Sequence, residues 1–199
     1  MKKKKTYEEV IRESPVTYEM YANMIDDGNR YEIADGVLEL LSPSPTFTHQ
    51  SIITEFLYKI NDSCRNEFII VSSPIDVILS DTEVRQPDIV IIHRGRMSII
   101  SNRGINGAPD LVVEVTSEHS RRRDKVRKRV VYAQYGVPEY WIVDLSNFTL
   151  EQYVLDGDRY ELADVYAGDD TIRSLTMPCA SFSMNEIIQS LPVLPELLE

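Results

Sequence analysis

The stretch Pro109-Asp110-Leu111-Val112-Val113-Glu114-Val115-Thr116-Ser117 decides the fold of this chain. Leu111 to Val115 is a short apolar run, which is typical of a strand buried on both faces of a sheet. Glu114 interrupts that run with an ionisable group. Because burying an unpaired carboxylate is costly, Glu114 is expected to have a cation, a metal or a proton beside it. The alternative is that Glu114 lies at the strand end with its carboxylate in water.

Asp88 is a second acid in a similar setting. It follows Pro87 and opens the β-branched run Ile89-Val90-Ile91-Ile92. Since proline cannot donate to a ladder, it belongs at the first residue or the edge of a strand, so Asp88 is expected at the mouth of its strand. If the two strands are neighbours, Asp88 and Glu114 can face each other across one cleft. Two close carboxylates repel unless a cation lies between them, and hard oxygen ligands at a phosphate site suit Mg²⁺ or Mn²⁺.

A basic segment follows the strand that contains Glu114. Seven of the nine residues from 121 to 129 are Lys or Arg. The pattern predicts a helix that Ser120 can cap and Gly136 can end. Its predicted apolar stripe consists of Val126, Val130, Ala133 and Val137. Most of the basic side chains are expected to form a solvated helix face.

Lys128 is the basic residue that the spacing favours as a partner for Glu114. A strand that runs straight into this helix places the first helical turns over its own carboxyl end. Lys128 and Tyr132 are four residues apart and therefore share a helix face. Tyr132 would support Lys128 or a phosphate, although ordinary helix packing explains it at least as well.

Hairpins are predicted on both sides of this central part of the chain. Residues 30–41 and 148–165 each show strand patterns around an Asp-Gly turn. Apolar residues at helical spacing predict a long helix that starts near Thr48 and packs on the sheet. His49 would lie in its first turn, where a capping or core histidine is the alternative to a catalytic one. Further strands are predicted at 68–71 and 75–79, short helices at 17–25 and 184–189, and a loop with one helical turn between 93 and 110.

The composition is that of one ordinary domain over residues 1–199. The chain is 43% hydrophobic and 27% charged, the usual balance of a soluble globular protein. No stretch has the apolar length needed to span a bilayer, and the lysines after Met1 are not followed by an apolar segment. Cys64 and Cys179 lack metal-ligand spacing and suggest a reduced compartment. We therefore expect a cytoplasmic protein without a membrane partner.

The net charge of −11 bears on any nucleic-acid partner. Non-specific DNA affinity comes mainly from phosphate neutralisation by Lys and Arg, so an acidic protein should bind poorly overall. Residues 121–129 nevertheless hold seven of the 21 basic side chains. A local positive surface can therefore exist on an acidic body.

Taken together, these motifs resemble the Uma-type putative restriction endonuclease family. The motifs are Pro-Asp at 87–88, Glu-Val-x-Ser at 114–117, Arg-Arg-Arg-Asp-x-x-x-Lys-x-x-x-Tyr-Ala at 121–133 and Gly-Val-Pro-Glu-Tyr-Trp-x-Val-Asp at 136–144. The resemblance extends upstream to Tyr31–Gly36, Ser42–Pro45 and His49, and covers about residues 15 to 165. The combined pattern is specific, although each piece alone is weak.

The resemblance implies membership of the PD-(D/E)XK nuclease superfamily. The implied fold is a mixed α/β one: a restriction-endonuclease-like αβββαβ core with an N-terminal and a C-terminal hairpin. Asp88 and Glu114 match the acidic positions that hold Mg²⁺. The usual lysine position, two residues after Glu114, is Thr116, so Lys128 from the following helix is the matching lysine. Glu32 matches an acidic position of the first hairpin and would be a further metal or water ligand.

Two local departures from the family pattern stand out. Val37 occupies a place where the family often has Glu, and Ser117-Glu118-His119-Ser120 replaces the usual Ser-Pro-Ser/Thr. Neither touches the Asp88, Glu114 and Lys128 set.

The function predicted from these observations is metal-dependent hydrolysis of nucleic-acid phosphodiester bonds, with DNA expected as the substrate. The cation would be Mg²⁺, with Mn²⁺ as the other choice. The side chains expected to contact nucleic acid are Arg121, Arg122, Arg123 and Lys125. Cutting two strands would favour a symmetric homodimer.

Two other functions compete with the nuclease. The first is a catalytically inactive, nuclease-like binding or interaction module, which the acidic charge and Thr116 favour. The presence of Asp88, Glu114 and Lys128 together favours the enzyme. The second is another kind of hydrolase, which has no support because the chain lacks Gly-x-Ser-x-Gly, His-Glu-x-x-His and a Gly-rich phosphate loop.

Overall fold

Two six-stranded sheets and four α-helices are present in the part of the protein that a computed structural model describes, residues 15–41, 44–116 and 123–193, without the side chains of 123–125. The α-helices are α1 (Tyr18–Ala22), α2 (Phe47–Cys64), α3 (Arg129–Gln134) and α4 (Met184–Gln189). A π-helical turn over Arg123–Lys128 precedes α3, and a 3₁₀ turn covers Arg94–Ile99.

The strands follow one another along the whole described chain. In the first half they are β1 (Tyr31–Ala34), β2 (Val37–Leu40), β3 (Phe68–Ser72), β4 (Val77–Ser80), β5 (Glu83–Arg85), β6 (Ile89–His93), β7 (Ile100–Ser101) and β8 (Gly104–Asn106). In the second half they are β9 (Leu111–Thr116), β10 (Glu139–Asp144), β11 (Thr149–Asp156), β12 (Arg159–Ala167), β13 (Thr171–Ile172) and β14 (Phe182–Ser183).

The sheet that contains Glu114, here called the core sheet, has the strand order β12-β11-β10-β9-β6-β3. Only β9 and β10 run parallel, and α3 connects them, as a crossover between parallel strands requires. In chain order, α2, β3, β6, β9, α3 and β10 form the predicted αβββαβ core. The C-terminal hairpin β11–β12 extends this sheet, so the predicted fold class is confirmed.

The N-terminal hairpin belongs to a second sheet with the order β2-β1-β5-β4-β8-β7. Asp35 and Gly36 form its turn with φ values of 49° and 74°, the left-handed backbone that an Asp-Gly hairpin turn requires. Two strands of this sheet, β7 and β8, fall where the sequence predicted only a loop. They are two and three residues long, too short for an alternating pattern to be visible.

Apolar packing covers both faces of the core sheet. All six residues of β9 and all six of β10 are buried. The helix α2 packs one face through Ile52, Ile53, Phe56 and Ile60. Glu114 therefore lies inside a fully buried strand, and the alternative of a carboxylate in water at the strand end is wrong.

The helix after β9 presents a different face from the one predicted. Val126 and Val130 of the predicted apolar stripe are 55% and 51% exposed. Ala133 and Val137 are buried as predicted, and Lys128 and Tyr132 are buried with them. The wide π-helical turn changes the register of the helix, and the ion pairs of Lys128 favour this orientation. The helix ends before Gly136, as predicted.

Cys64 at the end of α2 and Cys179 form a disulfide. The bonded pair removes the support that these two cysteines gave to a reduced compartment. Their separation of 115 residues hid the pairing, since only the packing of α2 against the C-terminal segment brings them together. No helix in the described ranges is long and apolar enough to cross a membrane.

Candidate active site

Glu114 is the buried acid around which the candidate active site is built. The residue is 4% exposed, and Lys128, at the end of the π-helical turn, is 5% exposed. Lys128 Nζ donates a hydrogen bond of 2.7 Å to Glu114 Oε1. A buried carboxylate is tolerated when it has a hydrogen-bonded cation beside it. The partner that was expected beside Glu114 is therefore Lys128, whose ammonium reaches β9 from the helical segment that follows this strand.

Glu32 brings the second sheet into the same site. It lies in β1, is 1% exposed, and its Oε1 atom is 3.2 Å from Lys128 Nζ. Burial raises the pKa of Glu32, but the charges of Lys128 and Arg85 outweigh burial and hold the pKa below its usual value. Glu32 is thus a carboxylate at neutral pH, and Lys128 lies between two carboxylates from two different sheets.

Arg85 and Glu83 complete the buried ion-pair network, although neither stands out in the sequence. Arg85 Nη1 lies 3.3 Å from Glu32 Oε2, and Arg85 also pairs with Glu83. The pKa of Arg85 is raised, because the charges of Glu32 and Glu83 outweigh its burial. The only signal in the sequence is the alternation of Glu83 and Arg85 around Val84. That alternation normally indicates a solvent-facing side of a strand, whereas here the hairpin β1–β2 covers it.

Tyr132 supports the Glu114 carboxylate from α3. Its hydroxyl donates to Glu114 Oε1 at 3.1 Å. Burial raises the pKa of Tyr132 well above its ordinary value, and the nearby charges of Glu114 and Glu32 raise it further. The hydroxyl therefore stays protonated and acts as a donor. Tyr132 therefore both packs in the core and supports the site.

Asp88 lies directly before β6, at the mouth of the strand as predicted. Ile89 pairs with Val113 in the antiparallel ladder between β6 and β9. One position beyond this pair, the register places Asp88 opposite Glu114. The two acids are therefore neighbours across the β6–β9 ladder, as predicted.

The Asp88 carboxylate contacts the end of β9 and the first turn of α2. Its Oδ2 atom accepts a hydrogen bond of 2.8 Å from the Val115 N–H. His49 Nε2 lies 3.3 Å from the same oxygen and 3.0 Å from the Val115 carbonyl oxygen. Because a carbonyl only accepts, His49 Nε2 carries the proton in this arrangement. His49 touches the site, and its catalytic role stays a prediction.

The oxygen donors of the site fit a hard divalent cation. Within the described ranges, no group of three or more His, Cys, Asp or Glu side chains is arranged to hold a metal. Mg²⁺, however, is commonly bound by one or two carboxylates, with waters and substrate phosphates as its other ligands. Asp88 and Glu114 are such a pair. The described side chains here comprise four carboxylates (Glu32, Glu83, Asp88 and Glu114) and two cations (Arg85 and Lys128), a negative balance that favours a cation.

The predicted nucleic-acid contacts fall largely outside the described structure. Arg121 and Arg122 lie outside the described residues, and Arg123 and Lys125 are described only through their backbone in the π-helical turn. The described basic neighbour Arg127 is exposed, and its Nη1 atom lies 3.5 Å from Glu39 Oε1 of the hairpin β1–β2. Contacts of this segment with nucleic acid therefore stay predictions.

A comparison with families of known proteins identifies the chain. The family described as "Uma2: Putative restriction endonuclease" matches residues 17–185, which is most of its length. The protein belongs to the Uma2 family. The resemblance stated from the motifs is thereby confirmed.

Solved structures agree with the fold of this Uma2 chain. A crystal structure described as "a putative nuclease belonging to DUF820" from Anabaena variabilis ATCC 29413 matches with a TM-score of 0.72. The match covers 88% of this chain and 98% of that one at 17% sequence identity. At that identity the likeness shows the fold. A search among curated proteins found no match.

Two positions show how this Uma2 chain departs from the motif pattern. Thr116, where the resemblance to the nuclease motif predicts a lysine, is fully buried, and its Oγ1 donates to the Val143 carbonyl at 3.3 Å. The ammonium of the site comes instead from Lys128. Val37, where the family often has Glu, is exposed in β2 and pairs with Ala34. Neither Thr116 nor Val37 forms a described hydrogen bond with the Glu114 side chain.

Proposed function

We propose that this protein is a metal-dependent endonuclease that hydrolyses phosphodiester bonds of nucleic acid, with DNA as its substrate. The observation that carries the proposal is the 2.7 Å contact between Lys128 Nζ and Glu114 Oε1, with Asp88 opposite Glu114 in the register of β6 and β9. Two carboxylates on neighbouring strands and an ammonium are the groups that phosphoryl transfer needs for charge stabilisation. The family description adds support.

Asp88 and Glu114 would hold Mg²⁺ or Mn²⁺. When bound, such an ion polarises the scissile phosphate and lowers the pKa of a water ligand. Lys128 supplies a fixed positive charge for the negative charge that builds on the phosphoryl oxygens, or orients the attacking water. His49, beside Asp88, and Glu32, beside Lys128, are the two further candidates for a catalytic role.

The surrounding network prepares Lys128 and Glu114 for these roles. Glu32 lies on the other side of the Lys128 ammonium, and the Tyr132 hydroxyl donates to Glu114. Groups held in place before the substrate arrives cost no reorganisation during the reaction. Arg85 in turn holds Glu32, so that both sheets contribute to the position of one ammonium.

Nucleic acid would bind through its backbone. Arg121, Arg122, Arg123 and Lys125 are the proposed phosphate contacts, which position a substrate without reading its sequence. Cleavage of both strands of a duplex would require two sites, for which a homodimer is the simplest arrangement. The proposal of a cytoplasmic location rests on the sequence alone, because the Cys64–Cys179 disulfide is more typical of an oxidising compartment.

A catalytically inactive binding module is the second candidate. Two observations favour it: the net charge of −11, and Thr116 at the usual lysine position. In such a module Lys128 and Glu114 would serve only as a buried structural pair. The two candidates differ in metal binding and in cleavage.

The test measures both properties on the same samples. Calorimetry records the binding of Mg²⁺ and Mn²⁺ to the wild-type protein, to Asp88→Asn and to Glu114→Gln, and cleavage of single- and double-stranded DNA is assayed in parallel with Lys128→Met added. Asp158→Asn, in the turn between β11 and β12, is the matched carboxylate control. Asp88→Asn and Glu114→Gln are isosteric, and Lys128→Met is assayed at a temperature at which circular dichroism shows it to be folded.

Loss of metal binding in both site variants but not in Asp158→Asn, together with loss of cleavage in Lys128→Met, is the result expected of the endonuclease. Cleavage that survives in Asp88→Asn would locate the activity elsewhere. A wild-type protein that neither binds metal nor cleaves would leave the inactive binding module as the function.

A further inference from the structure

Arg30 is an exposed cation that is held in one place. It lies directly before β1, and its carbonyl accepts a 2.8 Å hydrogen bond from the Leu41 N–H, which continues the β1–β2 ladder. Its Nη2 donates to Ser73 Oγ at 2.6 Å and to Gln86 Oε1 at 2.9 Å, and its Nε donates to the same Gln86 oxygen at 3.1 Å. An exposed arginine is normally free to sample many rotamers. Three hydrogen bonds restrict this one.

Both residues that hold Arg30 also contact the candidate active site. The Gln86 N–H donates to Glu32 Oε1 at 2.9 Å, and the Ser73 N–H donates to the Asp88 carbonyl at 2.9 Å. The strand order β9-β6-β3 places Ser73 on one side of Asp88 and β9 on the other. Arg30 is therefore joined to Asp88 through Ser73 and to Glu32 through Gln86.

No described carboxylate contacts the Arg30 guanidinium directly, and Asp76 interacts with it only through space. Both of its side-chain acceptors are neutral, and within the described part of the chain it forms no ion pair. Arg85, Arg96 and Lys128 by contrast each pair with an acid. Arg30 thus combines an exposed positive charge with a position fixed by three hydrogen bonds. The guanidinium is therefore available to an external anion, and its planar fork suits a phosphate.

We propose that Arg30 binds a backbone phosphate next to the scissile phosphate. This contact sets the position of the nucleic-acid strand over Asp88 and Glu114. This inference rests on the proposed function and adds a substrate contact to it. Arg30 touches the substrate and takes no part in the chemistry. Ser73 and Gln86 position the guanidinium.

The experiment compares Arg30→Gln with Arg159→Gln. Arg159 is also an exposed arginine, at the start of β12, where its Nε lies 3.0 Å from Glu161 Oε1. Both variants change the net charge by the same amount, so a general electrostatic effect cancels. Fluorescence anisotropy measures the affinity for a labelled DNA duplex and its single strand in EDTA over a series of salt concentrations. Cleavage with Mg²⁺ then gives kcat and KM.

Arg30→Gln should raise the Kd for DNA by about tenfold, because it removes one charge-assisted hydrogen bond. The slope of log Kd against log salt should fall by about 0.9 for the duplex, the value for one phosphate contact. KM should rise while kcat changes little. Arg30→Lys keeps the charge and should restore the salt slope but only part of the affinity. Ser73→Ala keeps Arg30 itself and should weaken binding by less than Arg30→Gln.

The outcomes separate this inference from the proposed function. A wild-type protein that binds and cleaves, with Arg30→Gln and Arg159→Gln equal in affinity and salt slope, would overturn the role of Arg30 and leave the endonuclease intact. A wild-type protein that neither binds nor cleaves DNA would overturn both. Equal thermal melting temperatures of Arg30→Gln and wild type are required to exclude misfolding, and Arg30→Lys provides the same comparison if Arg30→Gln is unstable.

Discussion

Lys128 Nζ and Glu114 Oε1, from residues 14 positions apart in the chain, are 2.7 Å from each other inside the protein. The pair joins β9 to the helix that follows it. Because both side chains are almost fully buried, each charge depends on the other for its stability in this environment.

Lys128→Met tests this dependence. Removal of one partner of a buried pair typically costs about 3–5 kcal/mol, because the other charge is left unpaired. We expect a loss of this size in the free energy of unfolding, measured with urea. Lys59→Met is the control, since Lys59 forms a more exposed pair of 2.9 Å with Glu186 and should lose at most about 1 kcal/mol. Equal losses in the two variants would contradict the buried pair.

Tyr132→Phe removes one hydroxyl and keeps the ring. The lost hydrogen bond to Glu114 Oε1 should lower the free energy of unfolding by about 1–3 kcal/mol, as for a donor to a buried charged group. If the endonuclease proposal holds, kcat should fall and KM should change little, since Tyr132 orients Glu114 and has no assigned contact with the substrate. Tyr58→Phe, at an exposed position of α2, should leave both unchanged.

Glu32 should make the folded protein sensitive to acid. Although burial raises the pKa of Glu32, Lys128 and Arg85 hold it below the unfolded value of about 4.3. A lowered carboxylate pKa stabilises the folded state fully above the unfolded pKa, and this stabilisation is lost as the pH falls through the folded pKa. The difference in unfolding free energy between wild type and Glu32→Gln should therefore be constant above about pH 5 and shrink below about pH 4.

Urea denaturation at a series of pH values measures this difference. Glu161→Gln, at an exposed position of β12, is the control and should differ little from wild type at any pH. A difference for Glu32→Gln that grew as the pH fell would contradict the lowered pKa.

The Cys64–Cys179 disulfide should stabilise the protein. It closes a long loop, with a sequence separation of 115 residues, and the loss of a native disulfide commonly costs about 2–5 kcal/mol. We expect dithiothreitol to lower the free energy of unfolding by this amount, and to have no effect on Cys179→Ser. Thiol titration of the denatured, unreduced protein should find no free thiol. Two free thiols in protein purified from cells would instead favour the reduced compartment expected from the sequence.

Glu139→Gln should destabilise the protein without changing metal binding. Glu139 is fully buried, and its Oε1 accepts 2.6 Å hydrogen bonds from Trp141 Nε1 and Gln152 Nε2, while its Oε2 accepts from Ser174 Oγ at 2.8 Å and from the Thr176 N–H at 3.0 Å. An amide nitrogen must face one of these donor pairs. We expect a loss of about 2–4 kcal/mol in urea denaturation. Unchanged stability would contradict the four hydrogen bonds that the Glu139 carboxylate accepts.

Local sequence patterns were sufficient to predict the central strand and both hairpins. The apolar run at 111–115 predicted β9, and the Asp-Gly pairs at 35–36 and 156–157 predicted both hairpins. These predictions held because a buried strand and a tight turn each impose their own chemistry on a few consecutive residues. The short strands β7 and β8 were not predicted, because two or three residues are too few to show an alternating pattern.

The candidate active site was predictable only in part. Asp88, Glu114 and Lys128 stood out as charged residues in or beside apolar patterns, and the structure brings Lys128 onto Glu114 and places Asp88 beside Glu114 in the ladder. Glu83 and Arg85 alternate around Val84, a pattern that is typical of the solvent-facing side of a strand. They became part of the site because the hairpin β1–β2 pairs with β5 and buries them.

The sequence by itself determined the strands, the hairpin turns, the family and the three charged residues at the centre of the site. The tertiary structure decided which helix face is buried, that Cys64 pairs with Cys179, and that Arg85 and Glu83 support Glu32. The physical reason is the range of the interactions. Backbone preferences and hydrophobic period act over a few neighbouring residues, whereas ion pairs and a disulfide join residues that only the packing of two sheets and two helices brings within bonding distance.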